Sequence, residues 1–402
     1  MSRSIAVLTL GCLLGLAPLP PPPLGAQRIE LPASLADLES RAKKDSNDAA
    51  AHYNVALAYW NEKRYDEADS ALHWAIRIDP EFAAAYMALS YLPYARRSSL
   101  ADEMRENRVP REWEKPLEES GRMYRRATMI DPLVEQRLTD ILTPRNTAYL
   151  EGIKILYGEW FADYYEGFDL YRQGKYQEAY DRYQRVFYAL KGDRHKNRMW
   201  NTLLYWHGLA AAHTNQHDEA VLDFQTLLER YLDTENRFRD SSLQHVPLRT
   251  NEFRYILAVM QQRAGHSNEA IALFREANQN DLGLYMSHVR LADMYEDHGL
   301  MPQATAERRA AVDANPEDAT LVLALGKTLA RVGQWADAEK AMQQAAEENP
   351  RDARIPYLLG IIEQQLKKPA EAKAAFTRFL SLAPSRYAPQ INDAKQRLAA
   401  LR

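Results

Sequence analysis

The sequence predicts an all-α protein built as a solenoid of helix-turn-helix units, about eight of them closed by a C-terminal capping helix, and four observations carry that expectation. A short phrase ending in alanine recurs as Tyr65-Asp66-Glu67-Ala68, Tyr176-Gln177-Glu178-Ala179, His217-Asp218-Glu219-Ala220 and Ser267-Asn268-Glu269-Ala270, and the same anchor returns at Ala304, Ala338 and Ala372. The three intervals from Ala270 to Ala372 are each 34 residues, a period that marks stacked supersecondary units. Twelve residues before each anchor stands a small residue (Ala56, Gly167, Gly208, Ala258, Ala292, Gly326, Gly360), where one helix can approach its partner closely. Twelve after it, Pro80, Pro316, Pro350 and Pro384 stop the second helix, because proline disfavours helical geometry in the residue before it.

Along the chain, Arg3 followed by the apolar run Ile5 to Leu19 and by Leu24-Gly25-Ala26 reads as a secretory leader cleaved after Ala26. An acylated Cys12 or an uncleaved anchor are the alternatives. No later stretch approaches the roughly 20 apolar residues of a spanning helix. A linker with a short helix occupies 27–48, and the repeats run over 49–384. In the first unit Ala68, Leu72 and Ala75 fall at offsets of 0, 4 and 7 and share one helical face. The second unit pairs Ala83 to Leu92 with Pro116 to Ile130 across a charged insertion near 94–115, in which a short helix over Ser98 to Asn107 is expected. Leu150, Ile153, Tyr157, Phe161, Tyr164, Phe168 and Tyr171 keep helical spacing and predict one long helix from about Thr147 to Arg172. Leu232 to Thr250 is polar and reads as a loop. Arg308 takes a bulky apolar slot in the sixth unit and is expected to lay its stem along the surface. At the end, Ile391, Ala394, Leu398 and Leu401 form a one-sided stripe, the solvating cap over 385–402 that a terminal repeat requires.

These anchors and spacings resemble the tetratricopeptide repeat, most closely over Asn54 to Pro80 and Asn251 to Pro384. The resemblance implies a right-handed superhelix whose first helices line a concave binding face. The lysine and asparagine pattern with which some members clamp a terminal carboxylate is not reproduced, since Tyr53 and Leu57 stand in the first pair's places.

Composition removes much chemistry. Lys and Arg number 51 against 55 Asp and Glu, so no basic excess exists to neutralise a phosphate backbone, and no nucleic-acid partner is expected. The single Cys lies in the leader, which leaves the mature chain without a disulfide, a thiol nucleophile or a cysteine-ligated metal. Gly326-Lys327-Thr328 resembles the end of a phosphate loop, yet it lies inside a repeat helix and lacks the earlier glycine. His213 and His217 straddle a turn, where packing is the simpler role. No catalytic motif, metal set or cofactor is predicted, and the chain is not expected to be an enzyme.

Aromatics carry the functional signal, with 16 of the 40 Phe, Trp and Tyr residues between Tyr149 and Trp206. Placing the first helices on the concave face selects Tyr53, Trp60, Tyr91, Phe161, Tyr164, Phe168, Tyr171, Tyr205 and Tyr255 as anchors for a partner, a use that suits the large area and polar tip of tyrosine. The alternative is that the long helix and the insertions cover these rings and make them interior. Toward the C-terminus the corresponding positions turn polar and basic at Arg263, Arg290, Lys327, Arg331 and Arg354, with Asp293 and Glu296 among them, and Arg290, Lys327 and Arg331 are the candidates there. The expectation is an exported scaffold, periplasmic or extracellular, that binds a peptide or protein; an envelope glycan or lipid held on the same aromatics is the second reading.

Overall fold

The computed structural model describes residues 31–401 apart from 32, 98–99, 101–102, 104–107, 135–158, 173, 191–198, 239–249, 282, 317 and 385–386. The leader, the first part of the long helix before Glu159 and most of the short helix expected over Ser98 to Asn107 lie outside the described residues.

The described chain is all-α. Its helices are α1 (Leu35–Lys44), α2 (Ala49–Asn61), α3 (Tyr65–Ile78), α4 (Ala83–Arg96), α5 (Glu114–Ile130), α6 (Glu159–Arg172), α7 (Tyr176–Ala189), α8 (Met199–His213), α9 (His217–Phe238), α10 (Thr250–Arg263), α11 (Ser267–Asn280), α12 (Tyr285–Asp297), α13 (Met301–Ala314), α14 (Ala319–Arg331), α15 (Trp335–Glu348), α16 (Arg354–Gln365), α17 (Pro369–Leu382) and α18 (Ala388–Ala400). Helix α9 continues through Phe238 into the stretch expected as a loop from Leu232, because the helical pattern of Leu227, Leu228 and Tyr231 carries past the end of the repeat. The helices form two compact units, one of residues 86–277 and the other of residues 31–85 together with 278–402.

Each repeat closes by the same contact. The anchor alanines Ala68, Ala179, Ala220, Ala270, Ala304, Ala338 and Ala372 are wholly buried, as are the bulky residues four places on, among them Leu72, Tyr183, Phe224 and Phe376. A Cβ on Gly360 would stand 2.8 Å from the Phe376 ring, and one on Gly167 the same distance from Tyr183, so the ring of the second helix uses the space a side chain on the first would occupy.

The turn inside the repeat has a feature of its own. Five residues before the anchor, the backbone is left-handed in seven repeats, at Lys63, Gly174, Asn215, Gly265, Gly299, Gly333 and Lys367, with φ between 59 and 82°. That conformation lets the following amide bond back into the first helix, as when Gln334 N donates to Leu329 O at 2.9 Å and Lys368 N to Glu363 O at 2.9 Å. Between repeats, Asp48 and Asp318 cap the next first helix, Asp318 Oδ1 accepting from Thr320 N at 3.0 Å.

Two core clusters fix where the aromatic side chains lie. In the unit of residues 86–277 the aromatic cluster built on Tyr164, Tyr183, Trp206, Phe224 and Phe253 fills the space between α6, α7, α8, α9 and α10. In the other unit, Phe376 and Phe379 are covered by Ile391, Leu398 and Leu401 of α18 and the residue after it. The same unit brings its two sequence-distant parts together: Asn47 Nδ2 donates to Leu382 O at 2.7 Å, and the Arg351 guanidinium lies 4.2 Å from the centre of the Trp74 ring.

Candidate partner-binding faces

The aromatic candidates divide by burial. Trp60, Phe161, Tyr164, Tyr171 and Tyr255 are between 2 and 7% exposed, whereas Tyr53, Tyr91, Phe168 and Tyr205 are half-buried. Trp60 packs edge-on to Tyr65 at 5.9 Å and belongs to the first repeat's interior. Tyr164 and Tyr171 are held in the aromatic cluster, Tyr171 standing edge-on to Trp206 at 5.4 Å. Burial pushes the Tyr164 phenol well above its ordinary range, so it is a neutral core group. Tyr255 Oη donates to Met129 O at 2.6 Å and thereby ties α10 to α5. Trp60, Tyr164, Tyr171 and Tyr255 are already committed to other helices, as in the interior alternative, and Phe161 packs on Trp160 and Tyr165 of its own helix; α6 is flanked by α7 and α8, and helical spacing alone cannot tell a groove from a covered face.

Phe168 and Tyr205 keep part of their surface. Phe168 meets Trp206 edge-on at 4.7 Å, and Tyr205 stands near Trp206, Phe224 and Phe253 at 5.3, 5.8 and 6.3 Å. Both rings are thus rigidly backed, the condition under which an exposed aromatic edge makes a good anchor at low entropic cost. In the other unit, Tyr53 packs edge-on to Phe82 at 5.2 Å.

The basic candidates sit on first helices of the unit that includes residues 278–402. Lys327 is exposed on α14, and Arg331, one turn later, has a side chain 48% exposed. Arg290 on α12 is half-buried. Arg331 pairs with Glu296, which also accepts from Thr328 Oγ1 and from Arg308 Nη2. Arg308 is itself buried and bonded to Asp293, so its guanidinium turns inward to two carboxylates instead of lying along the surface. A charged group in an apolar slot is tolerated because both partners come with it. Thr328 also donates to Ala324 O at 3.1 Å within the helix, so Gly326-Lys327-Thr328 presents no free loop amides for a phosphate.

The histidines behave as packing groups. His213 stacks on Tyr176 with ring centres 3.8 Å apart and lies 3.3 Å from Leu133 O. A third histidine, His207, carried no sequence signal beyond lying beside the close-approach Gly208. It is 3% exposed, its Nδ1 is 2.5 Å from Asp223 Oδ2, and its Nε2 is 3.0 Å from Gln184 Nε2. Tyr180 stacks on the ring at 5.0 Å and Phe187 meets it edge-on at 4.7 Å. The amide of Gln184 makes Nε2 the acceptor, which leaves Nδ1–H to donate to Asp223; both nitrogens are used within the core. Among the described residues no group of three or more His, Cys, Asp or Glu side chains is arranged to hold a metal ion, and no helix is long and apolar enough to cross a membrane.

Sequence profiles of the tetratricopeptide repeat match residues 49–82, 202–231 and 323–387. No curated protein matches the chain. Among solved structures, it resembles the C-terminal part of a TPR repeat-containing protein from Cytophaga hutchinsonii (TM-score 0.46, 13% identity, covering 59% of this chain and 92% of that one). It also resembles MamA from Desulfovibrio magneticus RS-1 (TM-score 0.37, 18% identity, covering 45% and 94%). The profile matches fall on the segments where the anchor alanine, the small residue before it and the helix-turn-helix geometry coincide, and these segments are tetratricopeptide repeats.

Proposed function

We propose that the protein is an exported, non-enzymatic scaffold that holds a peptide or protein partner on the first-helix faces of its repeats. The repeat type supports protein interaction as the general role. The observation that carries the reading further is the pair Lys327 and Arg331, exposed one turn apart on α14: Arg331 is paired with Glu296, which Arg308 and Thr328 also bind, and Lys327 stands exposed beside it on the helix. That arrangement suits a partner segment bearing carboxylates. Phe168 and Tyr205 supply aromatic edges in the other unit. The buried rings, Trp60, Phe161, Tyr164, Tyr171 and Tyr255, then act by keeping the helices in place. No nucleic acid enters this reading.

The test is capture of the partner from native cells by the full mature chain, with cross-linking to locate it. The variant Lys327→Glu, which leaves the Arg331–Glu296 pair intact, should lose at least ten-fold in retained polypeptide while melting as the wild type does. Unchanged retention removes the basic face, and recovery of a glycan or lipid in place of a polypeptide removes the partner class. Export is tested separately by N-terminal sequencing of the native protein, which should begin after Ala26.

A further inference from the structure

A cavity lies at the last repeat, away from Lys327 and Arg331. It has a volume of about 430 Å³ and opens between α15, α16 and α17. Its walls are largely apolar, with Ala346, Ile355, Pro356, Leu359 and Ala375 among them, and it is also lined by Asn349, Asp352 and Arg378, whose Nη2 donates to Pro350 O at 3.2 Å. One end is acidic, formed by Glu363 from α16 and Glu371 from the first turn of α17.

Glu363 is the unusual residue. It stands nine places before the anchor Ala372, a slot held in other repeats by Tyr59, Leu170, Ala211, Gln261, Tyr295 and Leu329, all uncharged. It is 5% exposed, and its Oε2 has no hydrogen-bond partner among the described residues. A buried carboxylate oxygen without a donor is costly to keep, and such a group calls for an occupant. The charges around it state which kind. Glu339 of α15 and Glu371 of α17 face Glu363; the cation that acts on it, Lys368, has its Nζ 2.7 Å from both oxygens of Glu339, and Arg378, which also lines the cavity, donates to Pro350 O. Three carboxylates therefore share one ammonium, and that ammonium is already committed.

We propose that this cavity binds a small primary ammonium carried on an aliphatic body, with the ammonium against Glu363 and Glu371 and the body along Ile355, Pro356 and Leu359. Its volume falls in the range of small-ligand pockets, and apolar walls with a few convergent polar groups are their usual lining. Burial raises the Glu363 carboxyl to about 7, so the ligand would meet an ionised partner mainly above neutrality.

The probe is n-hexylammonium, with n-hexanol as the uncharged body of the same length, titrated into the full chain by calorimetry and ligand-observed NMR. Hexylammonium should bind at least ten-fold more tightly than hexanol at pH 8. Between pH 6 and pH 8 its affinity should rise by roughly ten-fold, as a carboxyl near 7 ionises while the amine stays charged. Glu363→Gln, which keeps the shape, should reduce hexylammonium to the level of hexanol, and Ala374→Trp at the exposed wall should abolish both. Equal binding of the two probes, or undiminished binding by Glu363→Gln, overturns the proposal; so does unchanged binding by Ala374→Trp, which would place the amine elsewhere.

Discussion

The side-chain amide of Asn47 donates to the main-chain carbonyl of Leu382 at 2.7 Å, across 335 residues of sequence. Around it, Trp74 receives Arg351 from above at 4.2 Å and Arg77 at 5.2 Å, with His52 edge-on at 6.0 Å. Burial pushes the His52 imidazole below its ordinary range, in keeping with a ring enclosed by this contact. The first repeat therefore packs on the last ones inside a single unit, a contact no nearest-neighbour stack contains.

That contact should be measurable. Asn47→Ala should destabilise the unit by about 1 kcal/mol, the ordinary net worth of one hydrogen bond. A double-mutant cycle of Trp74→Leu and Arg351→Gln should show a coupling of about 0.5–1 kcal/mol, as for a cation over a partly exposed ring. Denaturant midpoints by circular dichroism supply both numbers, and a coupling of zero would mean that the two ends act independently.

The left-handed turn slot makes a prediction with the opposite sign. Lys367 holds φ at 59° on an exposed turn, a conformation that costs a side chain about 1–2 kcal/mol. Glycine removes that strain but has more conformational freedom to lose on folding, so Lys367→Gly should stabilise by about 0.5–1 kcal/mol. Gly333→Ala, at φ 79°, should destabilise by about 1 kcal/mol or more. Thermal melting of the pair checks the slot, since both sites are exposed and neither change removes a core contact.

Glu363 should give the protein a pH signature. Its carboxyl is raised by burial to about 7 in the folded chain, above the unfolded value of 4.5. The folded state thus prefers the protonated form, and this contribution is complete below 4.5 and lost as pH rises through 7. Glu363→Gln should match the wild type at pH 4 and exceed its stability by roughly 3 kcal/mol at pH 8. Melts across that range test it; a difference that does not change with pH would show that the carboxyl titrates normally.

The aromatic residues should separate into two behaviours. Tyr164→Ala removes a 4%-exposed ring from the central cluster and should cost about 3–5 kcal/mol. Phe168→Ala and Tyr205→Ala remove half-exposed rings and should cost about half as much, and as anchors they should weaken partner retention without unfolding the chain. Calorimetry paired with the capture assay reads both effects on each variant.

Much of the repeat could be read residue by residue. The anchor at Ala372, the small Gly360 before it and Phe376 after it form one packed contact, and that contact is local enough to be encoded in spacing. The left-handed residue five before the anchor was legible in principle, but Lys63, Asn215 and Lys367 obscure the glycines that share the slot. Arg308 looked like a surface residue because its partners, Asp293 and Glu296, lie on the preceding helix.

By itself the sequence determined the all-α class, the helix pairs and the closing prolines, because each depends on interactions within about 34 residues. The tertiary structure alone decided which first-helix rings are covered, that Glu363 faces an open cavity, and that Asn47 meets Leu382. Those outcomes depend on the angle at which successive repeats pack. Small rotations at each interface accumulate over the stack, so residues far apart in sequence are brought together or separated by a quantity that no single repeat specifies.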